Sequence, residues 1–260
     1  MGGNVGGFMH LEHTSHLWAS LLFAGTAGAW FAYFRLKERN AKPFFLMLLA
    51  IIGGHLSALA AVLVYGRLES WGYSTDWRVM QQSWSRGMPM SLVIGLVEEG
   101  TKLIPVLLIV LVSRHVTRAQ DGLFLAACAG LGFAVAENVI FSEQGLTMVE
   151  GVARAATTPV THALFAAPWG LGLASFLLKR RPAALILSFG TSVGAHGLYD
   201  FLLARPHVPL LASAVVVLGL WVWVIARTAP AVMEAVRASN MRPALTPAAQ
   251  SAYSKVRPLR

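Results

Sequence analysis

Long apolar stretches constrain the fold of this chain more than any other feature of its sequence. A helix needs about 20 predominantly apolar residues to cross a bilayer. Seven stretches approach that length, near residues 15–36, 43–66, 88–113, 121–141, 158–178, 183–204 and 208–226. The predicted fold class is therefore all-α, a polytopic membrane helix bundle with about seven transmembrane helices.

The composition argues against an ordinary soluble protein. Of the 260 residues, 56% are hydrophobic and only 13% are charged, and the mean hydropathy is +0.59. A soluble domain of this length rarely tolerates such a composition, because most of its surface must face water. The formal net charge of +9 does not indicate nucleic-acid binding, since basic residues of multi-spanning proteins gather in cytoplasmic loops. We expect the lipid bilayer as a partner, and no nucleic acid.

The distribution of basic residues predicts the orientation. Fifteen of the 21 Lys and Arg residues fall on one side of the predicted spans, in the loops after the first, third and fifth spans and in the C-terminal tail. Five fall on the other side, and Lys102 lies within a span. By the positive-inside rule, the N-terminus faces out and the C-terminus faces the cytoplasm. A multi-pass protein of the cell membrane is expected.

The chain divides into a membrane domain and a tail. Residues 1–226 form the predicted transmembrane domain, whereas residues 227–260 combine prolines with small and basic residues. Such a tail is expected to be disordered and to touch anionic lipid. Two outer loops, 67–87 and 142–157, carry apolar residues at helical spacing, which is typical of surface anchors or of a lid over a substrate site.

Ionisable residues inside the predicted spans are the strongest functional signal. An acidic or lysine side chain at the centre of a transmembrane helix costs roughly 2.5–3.5 kcal/mol on the insertion scale, so such residues usually mark a functional site. At 1.5 Å per residue, most of them fall in the outer half of the bilayer, which predicts one cavity open to the extracytoplasmic side. These residues are His55, Glu98, Glu99, Lys102, Glu137, His162, His196 and Asp200.

Helical spacing suggests roles for some of these residues. Lys102 follows Glu98 by four positions and Glu99 by three, so it can pair with either carboxylate while the other faces the cavity. His196 and Asp200 are also four apart. Asp200 could fix the tautomer of His196 and leave its second nitrogen for a metal or water. Structural ion pairs and interhelical hydrogen bonds are the competing interpretation.

Four motifs follow one another along the chain, namely EEGTK at 98–102, FAVAEN at 133–138, His162 within THALF, and HGLYD at 196–200. In this order they resemble the motifs of the PrsW family of intramembrane proteases, which is related to the CAAX prenyl endopeptidase and bacteriocin-immunity superfamily. The resemblance covers residues 88–204, the core of the chain. It implies cleavage of a membrane-protein or peptide substrate near the extracytoplasmic side, with anti-sigma factors as the best-known substrate class of the family.

The resemblance also implies roles for the site residues. Glu98 or Glu99 would be the general base, with Glu99 favoured, next to Lys102. A divalent metal, with zinc expected, would be bound by Glu137, His162 and His196, since two imidazoles and one carboxylate leave a position open for water. Asp200 would orient His196, and Asn138 would hydrogen-bond the substrate or ligand.

Three alternatives remain at this stage. A metal-free mechanism is possible because the spacing lacks the compact HExxH signature. A proton- or ion-coupled transporter would use the same carboxylates as a relay, although the chain shows no paired, inverted halves. A catalytically silent module that binds membrane helices is the third.

Overall fold

Helices make up the fold. A computed structural model describes the backbone of residues 5–37, 43–113 and 115–240, and the side chains of residues 18–36, 43–113 and 115–227. No strand occurs among these residues, which confirms the all-α prediction. The helices, in chain order, are α1 Val5–Lys37, α2 Phe44–Ser70, α3 Trp77–Gln82, α4 Trp84–Ser113, α5 Ala119–Glu143, α6 Met148–Lys179, α7 Pro182–Leu203 and α8 Leu210–Asn240.

Each predicted apolar stretch overlaps one long helix. By length and composition, four helical segments of the described chain can cross a membrane, namely Phe44–Ser70, Ala119–Glu143, Met148–Lys179 and Leu210–Arg227. The helix α4 carries Glu98, Glu99 and Lys102 near its middle, so its apolar character is interrupted by charge. The number of seven spans and the orientation of the termini stay predictions.

The two predicted outer loops are shorter in the structure than in the sequence prediction. The apolar residues at helical spacing in 67–87 form the short helix α3, whose N-terminus is capped by the Asp76 side chain, which accepts from the Arg78 backbone N–H at 2.8 Å. The stretch 142–157 is different. The helix α6 begins at Met148 after a capping box between Thr147 and Glu150, so most of this predicted loop forms the first turns of a long helix.

The helix α5 lies between α2 and α6, and small residues bring these helices together. A Cβ added to Gly130 on α5 would lie 2.6 Å from the carbonyl oxygen of His162 on α6. A Cβ on Gly95 of α4 would lie 2.8 Å from the Val193 carbonyl oxygen of α7. Because a neighbouring backbone fills both places, only glycine permits these approaches. They set the polar residues of α4 and α5 against those of α6 and α7.

The chain divides into two compact units, Met1–Trp221 and Val222–Arg260. All predicted site residues lie in the first unit. The helix α8 continues to Asn240, whereas the sequence predicted that a disordered tail begins at residue 227. Residues 241–260 of that tail lie outside the described part of the chain.

Candidate active site

Four helices bring the predicted site residues into one cluster. The helix α4 supplies Glu98, Glu99 and Lys102, α5 supplies Glu137 and Asn138, α6 supplies His162, and α7 supplies His196 and Asp200. Six of these eight residues are buried. The side chains of Asp200 and Glu137 are 15% and 21% exposed, so these two carboxylates lie at the more open edge.

Glu99 is fully buried and is held by three donors. The Lys102 ammonium donates to Glu99 Oε1 at 2.7 Å, and His196 Nδ1 lies 2.8 Å from the same oxygen. The indole N–H of Trp169 donates to Glu99 Oε2 at 2.9 Å. A buried charge is tolerated only when it is paired and hydrogen-bonded, and these contacts meet that requirement. Both oxygens of Glu99 are therefore engaged in joining α4 to α6 and α7.

Glu98 differs from Glu99 because one of its carboxylate oxygens accepts no hydrogen bond. The Tyr65 hydroxyl of α2 donates to Glu98 Oε1 at 2.9 Å. Glu98 Oε2 is buried but has no hydrogen-bond partner among the described residues. It lies 3.5 Å from His196 Nε2 and 3.7 Å from Lys102 Nζ. A buried carboxylate oxygen without a partner is uncommon, and here it adjoins an imidazole nitrogen.

Contacts on both ring nitrogens fix the orientation of His162. Its Nδ1 lies 2.9 Å from Lys102 Nζ, and its Nε2 lies 2.8 Å from Glu137 Oε2. Because an ammonium group can only donate, Nδ1 accepts and the proton is on Nε2, which donates to Glu137. Arg154 supports this edge, with its guanidinium 3.2 Å from Glu137 Oε2 and its Nε donating to Asn138 Oδ1 at 2.9 Å.

His196 presents one nitrogen to the open part of the cluster. With Nδ1 donating to Glu99, Nε2 faces Glu98 Oε2 and Asp200 Oδ2, each at 3.5 Å. Glu99 thus makes the short contact that the sequence had assigned to Asp200. Asp200 lies beside the other nitrogen.

Three buried donors are spaced for a metal ion. Ligand atoms of Glu98, His162 and His196 all lie within 4.8 Å of one another. This set shares both imidazoles with the predicted one and contains Glu98 where the sequence prediction had Glu137. Glu137 contacts His162 directly. The individual roles assigned to these residues stay predictions.

Three further side chains contact the cluster, although no sequence pattern indicated it. They are Tyr65, Arg154 and Trp169. Tyr and Trp in apolar helices are typical of packing or of the membrane interface, and Arg154 counted only as an outer charge. His55 lies elsewhere, because it lines an apolar cavity between α1, α2 and α5.

Buried carboxylates and imidazoles, brought together by four helices of an apolar bundle, are typical of a functional site within the membrane and suit an intramembrane hydrolase. Comparisons with known proteins agree. The model of the family described as PrsW family intramembrane metalloprotease matches residues 42–227. The chain belongs to this family and is an intramembrane protease.

Individual relatives support the family assignment. Protease PrsW of Clostridioides difficile (strain 630) is 31% identical over 119 residues, which are 43% of this chain and half of that protein. Protease PrsW of Geobacillus kaustophilus (strain HTA426) is 29% identical over 207 residues, covering 78% of this chain and 88% of the relative. Protease PrsW of Shouchella clausii (strain KSM-K16) is 26% identical over 210 residues, covering 78% and 92%. No solved structure matches the chain.

Proposed function

We propose that the chain is an endopeptidase that hydrolyses a peptide bond of a membrane-protein substrate near the extracytoplasmic side of the cell membrane. The observation that carries this proposal is the buried Glu98 Oε2, which accepts no hydrogen bond and lies 3.5 Å from His196 Nε2. Peptide hydrolysis requires an activated water and stabilisation of the developing oxyanion. A carboxylate oxygen and an imidazole nitrogen that face the same space suit the first requirement.

Glu98 is the better reacting carboxylate of the EE pair. Both oxygens of Glu99 accept hydrogen bonds, from Lys102, His196 and Trp169. Using Glu99 in the reaction would break contacts that neutralise a fully buried charge. Glu98 has one oxygen free of hydrogen bonds, so it can meet a water or a metal without such a loss. Glu99 then orients His196, and Lys102 compensates the paired carboxylates.

The donor set of Glu98, His162 and His196 fits a divalent metal. At about 2.0 Å from a tetrahedral zinc, two ligand atoms stand about 3.3 Å apart, close to the 3.5 Å between Glu98 Oε2 and His196 Nε2. Both nitrogens of His162 are hydrogen-bonded, so one of these bonds must open for His162 to join. When bound, zinc would supply Lewis acidity toward the scissile carbonyl and make a water more acidic.

The remaining polar groups suit the reaction around these donors. Asp200 Oδ2 lies 3.5 Å from His196 Nε2 at the more open edge, so we assign it as the acceptor of the proton that water loses. Asn138 Nδ2 is buried without a hydrogen-bond partner in the described structure. It is therefore available to donate to a substrate carbonyl. Glu137, held by Arg154, keeps His162 in its orientation.

Family resemblance makes anti-sigma factors the first substrates to test. Single-span candidate proteins, tagged at both ends, would be co-expressed with the protein or with its Glu98→Gln and His196→Ala variants. The Glu143→Gln and His207→Ala variants are matched controls, because both residues lie outside the cluster and are exposed. We expect cleavage with the wild type and the controls, and none with the site variants. Cleavage by both site variants would contradict the proposed site.

A transporter is not favoured, since the family match and the named relatives are proteases. The opposite result would be solute flux across liposomes that contain the protein, lost in the Glu98→Gln variant, together with no cleavage of any candidate substrate. That result would favour a transporter.

A further inference from the structure

Tyr65 brings α2 to the site, although the sequence of α2 shows no motif. Its hydroxyl donates to Glu98 Oε1 at 2.9 Å. Its ring is half-buried and packs against a small cluster on α2 and α5, formed by Ala58, Ala61, Phe133 and Ala136. The hydroxyl is thus held by a packed ring and meets one defined oxygen of one carboxylate.

The surroundings of Glu98 show why this hydrogen bond matters. Glu98 Oε2 is 3.5 Å from His196 Nε2 and 3.7 Å from Lys102 Nζ, so the imidazole and the ammonium are nearly equidistant. Lys102 already donates to Glu99 and contacts His162. A charge-assisted hydrogen bond from an ammonium to a carboxylate is stronger than a neutral one. A Glu98 side chain free to rotate would therefore close the short gap to Lys102.

We propose that Tyr65 is a positioning residue, whose hydroxyl holds Glu98 so that Oε2 faces the imidazoles of His196 and His162 instead of closing on Lys102. The inference rests on the proposed function, in which Glu98 is a metal ligand. Tyr65 is not one of the three candidate ligands. Its hydroxyl contacts Glu98, so it would act on the metal through Glu98.

The size of the effect follows from this indirect role. Removing a hydrogen-bond partner of a metal ligand typically weakens metal affinity 10- to 100-fold. Tyr65→Phe keeps the ring and its packing, so it removes only the hydroxyl. Tyr73→Phe is the matched control, because it removes a phenolic hydroxyl from the loop after α2, where no site residue lies.

Zinc binding to the purified, metal-free protein in detergent tests the inference without a substrate. We expect Tyr65→Phe to weaken zinc affinity about tenfold, with a thermal unfolding temperature like that of the wild type, and Tyr73→Phe to bind zinc normally. Glu98→Ala should lose more affinity than Tyr65→Phe. In the Glu98→Ala background, adding Tyr65→Phe should change the affinity less than about twofold, since the two act on one interaction.

Three results would overturn the inference, and they separate it from the proposed function. If the wild type binds zinc and Glu98→Ala does not, but Tyr65→Phe binds as the wild type does, the role of Tyr65 is wrong and the metal site stands. A Tyr65→Phe variant that loses zinc affinity together with thermal stability has a structural role only. If the wild type itself binds no zinc, the metal site and the role of Tyr65 both fail.

Discussion

The indole N–H of Trp169 on α6 donates to Glu99 Oε2 on α4 at 2.9 Å, and both side chains are fully buried. This contact gives an apolar residue of the core a polar role, since Trp169 also packs with Leu125, Ala129 and Ala166. It supplies the donor that the second oxygen of Glu99 needs.

Trp169→Phe should destabilise the protein, because it leaves Glu99 Oε2 buried without a donor. A buried acceptor that loses its partner costs about 1–3 kcal/mol, to which the smaller ring adds a packing loss. The free energy of unfolding in detergent micelles measures the effect, with Trp221→Phe as the control, since Trp221 is 40% exposed. Equal stability of the two variants would contradict a hydrogen-bonding role for Trp169.

The Lys102 and Glu99 pair should show strong coupling. Each single change, Lys102→Met or Glu99→Gln, removes the nearest opposite charge from a buried partner, and breaking a buried pair typically costs about 3–5 kcal/mol. The double variant should be less destabilised than the sum of the single variants. Unfolding of all four proteins in the same detergent gives the coupling energy. Additive losses would mean that the two charges do not compensate each other.

Two glycines test the helix contacts that build the site. A Cβ on Gly130 would meet three backbone atoms of α6 at 2.6–2.8 Å, so Gly130→Ala should cost about 1–3 kcal/mol by overpacking. A Cβ on Gly190 of α7 meets nothing within 4 Å. Gly190→Ala should therefore be neutral or add up to about 1 kcal/mol of stability. Thermal unfolding distinguishes the two, and a neutral Gly130→Ala would contradict the close approach of α5 and α6.

The sequence predicted the all-helical fold well because its signals are local. About 20 apolar residues in a row indicate a helix whatever surrounds them, and each predicted stretch overlaps a long helix. The start of α6 was predicted too late. The long apolar stretch indicated a span from residue 158, and the apolar residues at helical spacing in 142–157 were interpreted as a surface anchor or lid. The capping box of Thr147 and Glu150 instead begins one continuous helix at Met148.

The site was predictable as a set of residues but not as a set of contacts. Motif spacing and depth placed Glu98, Glu99, His162 and His196 together, and they are together. Glu99 has hydrogen bonds on both carboxylate oxygens because Trp169, which lies 70 residues away in the sequence, donates to Oε2. Spacing along the sequence does not give the direction of a side chain across helices. The prediction that favoured Glu99 as general base was therefore made without the contact between Trp169 and Glu99.

Zinc affinity should distinguish Glu98, the proposed metal ligand, from Glu137, which is proposed only to orient His162. We expect one zinc per chain, with affinity lowered about 100-fold or more by Glu98→Gln and about 10-fold by Glu137→Gln, since the latter would only orient His162. Zinc titration of the metal-free variants gives both values. The reverse order would favour Glu137, His162 and His196 as the ligands. Cleavage that persists after exhaustive metal removal would exclude a required metal.

Asp200→Asn should lower the turnover number but leave the zinc affinity nearly unchanged. As the proposed proton acceptor, Asp200 contributes to the reaction but not to the ligand set, so zinc affinity should stay within a few-fold while turnover falls about 10²- to 10⁴-fold. Steady-state cleavage and zinc titration on the same preparation provide the two readouts. Parallel loss of both would make Asp200 a ligand instead.

The central claim is that the free oxygen of Glu98 lies where peptide hydrolysis takes place. The most direct measurement is the cleavage rate of a reconstituted single-span substrate by purified Glu98→Gln, normalised to the folded fraction. The account predicts a fold as stable as the wild type and a rate reduced by at least about 10²-fold. A well-folded Glu98→Gln protein that cleaves at the wild-type rate would contradict it.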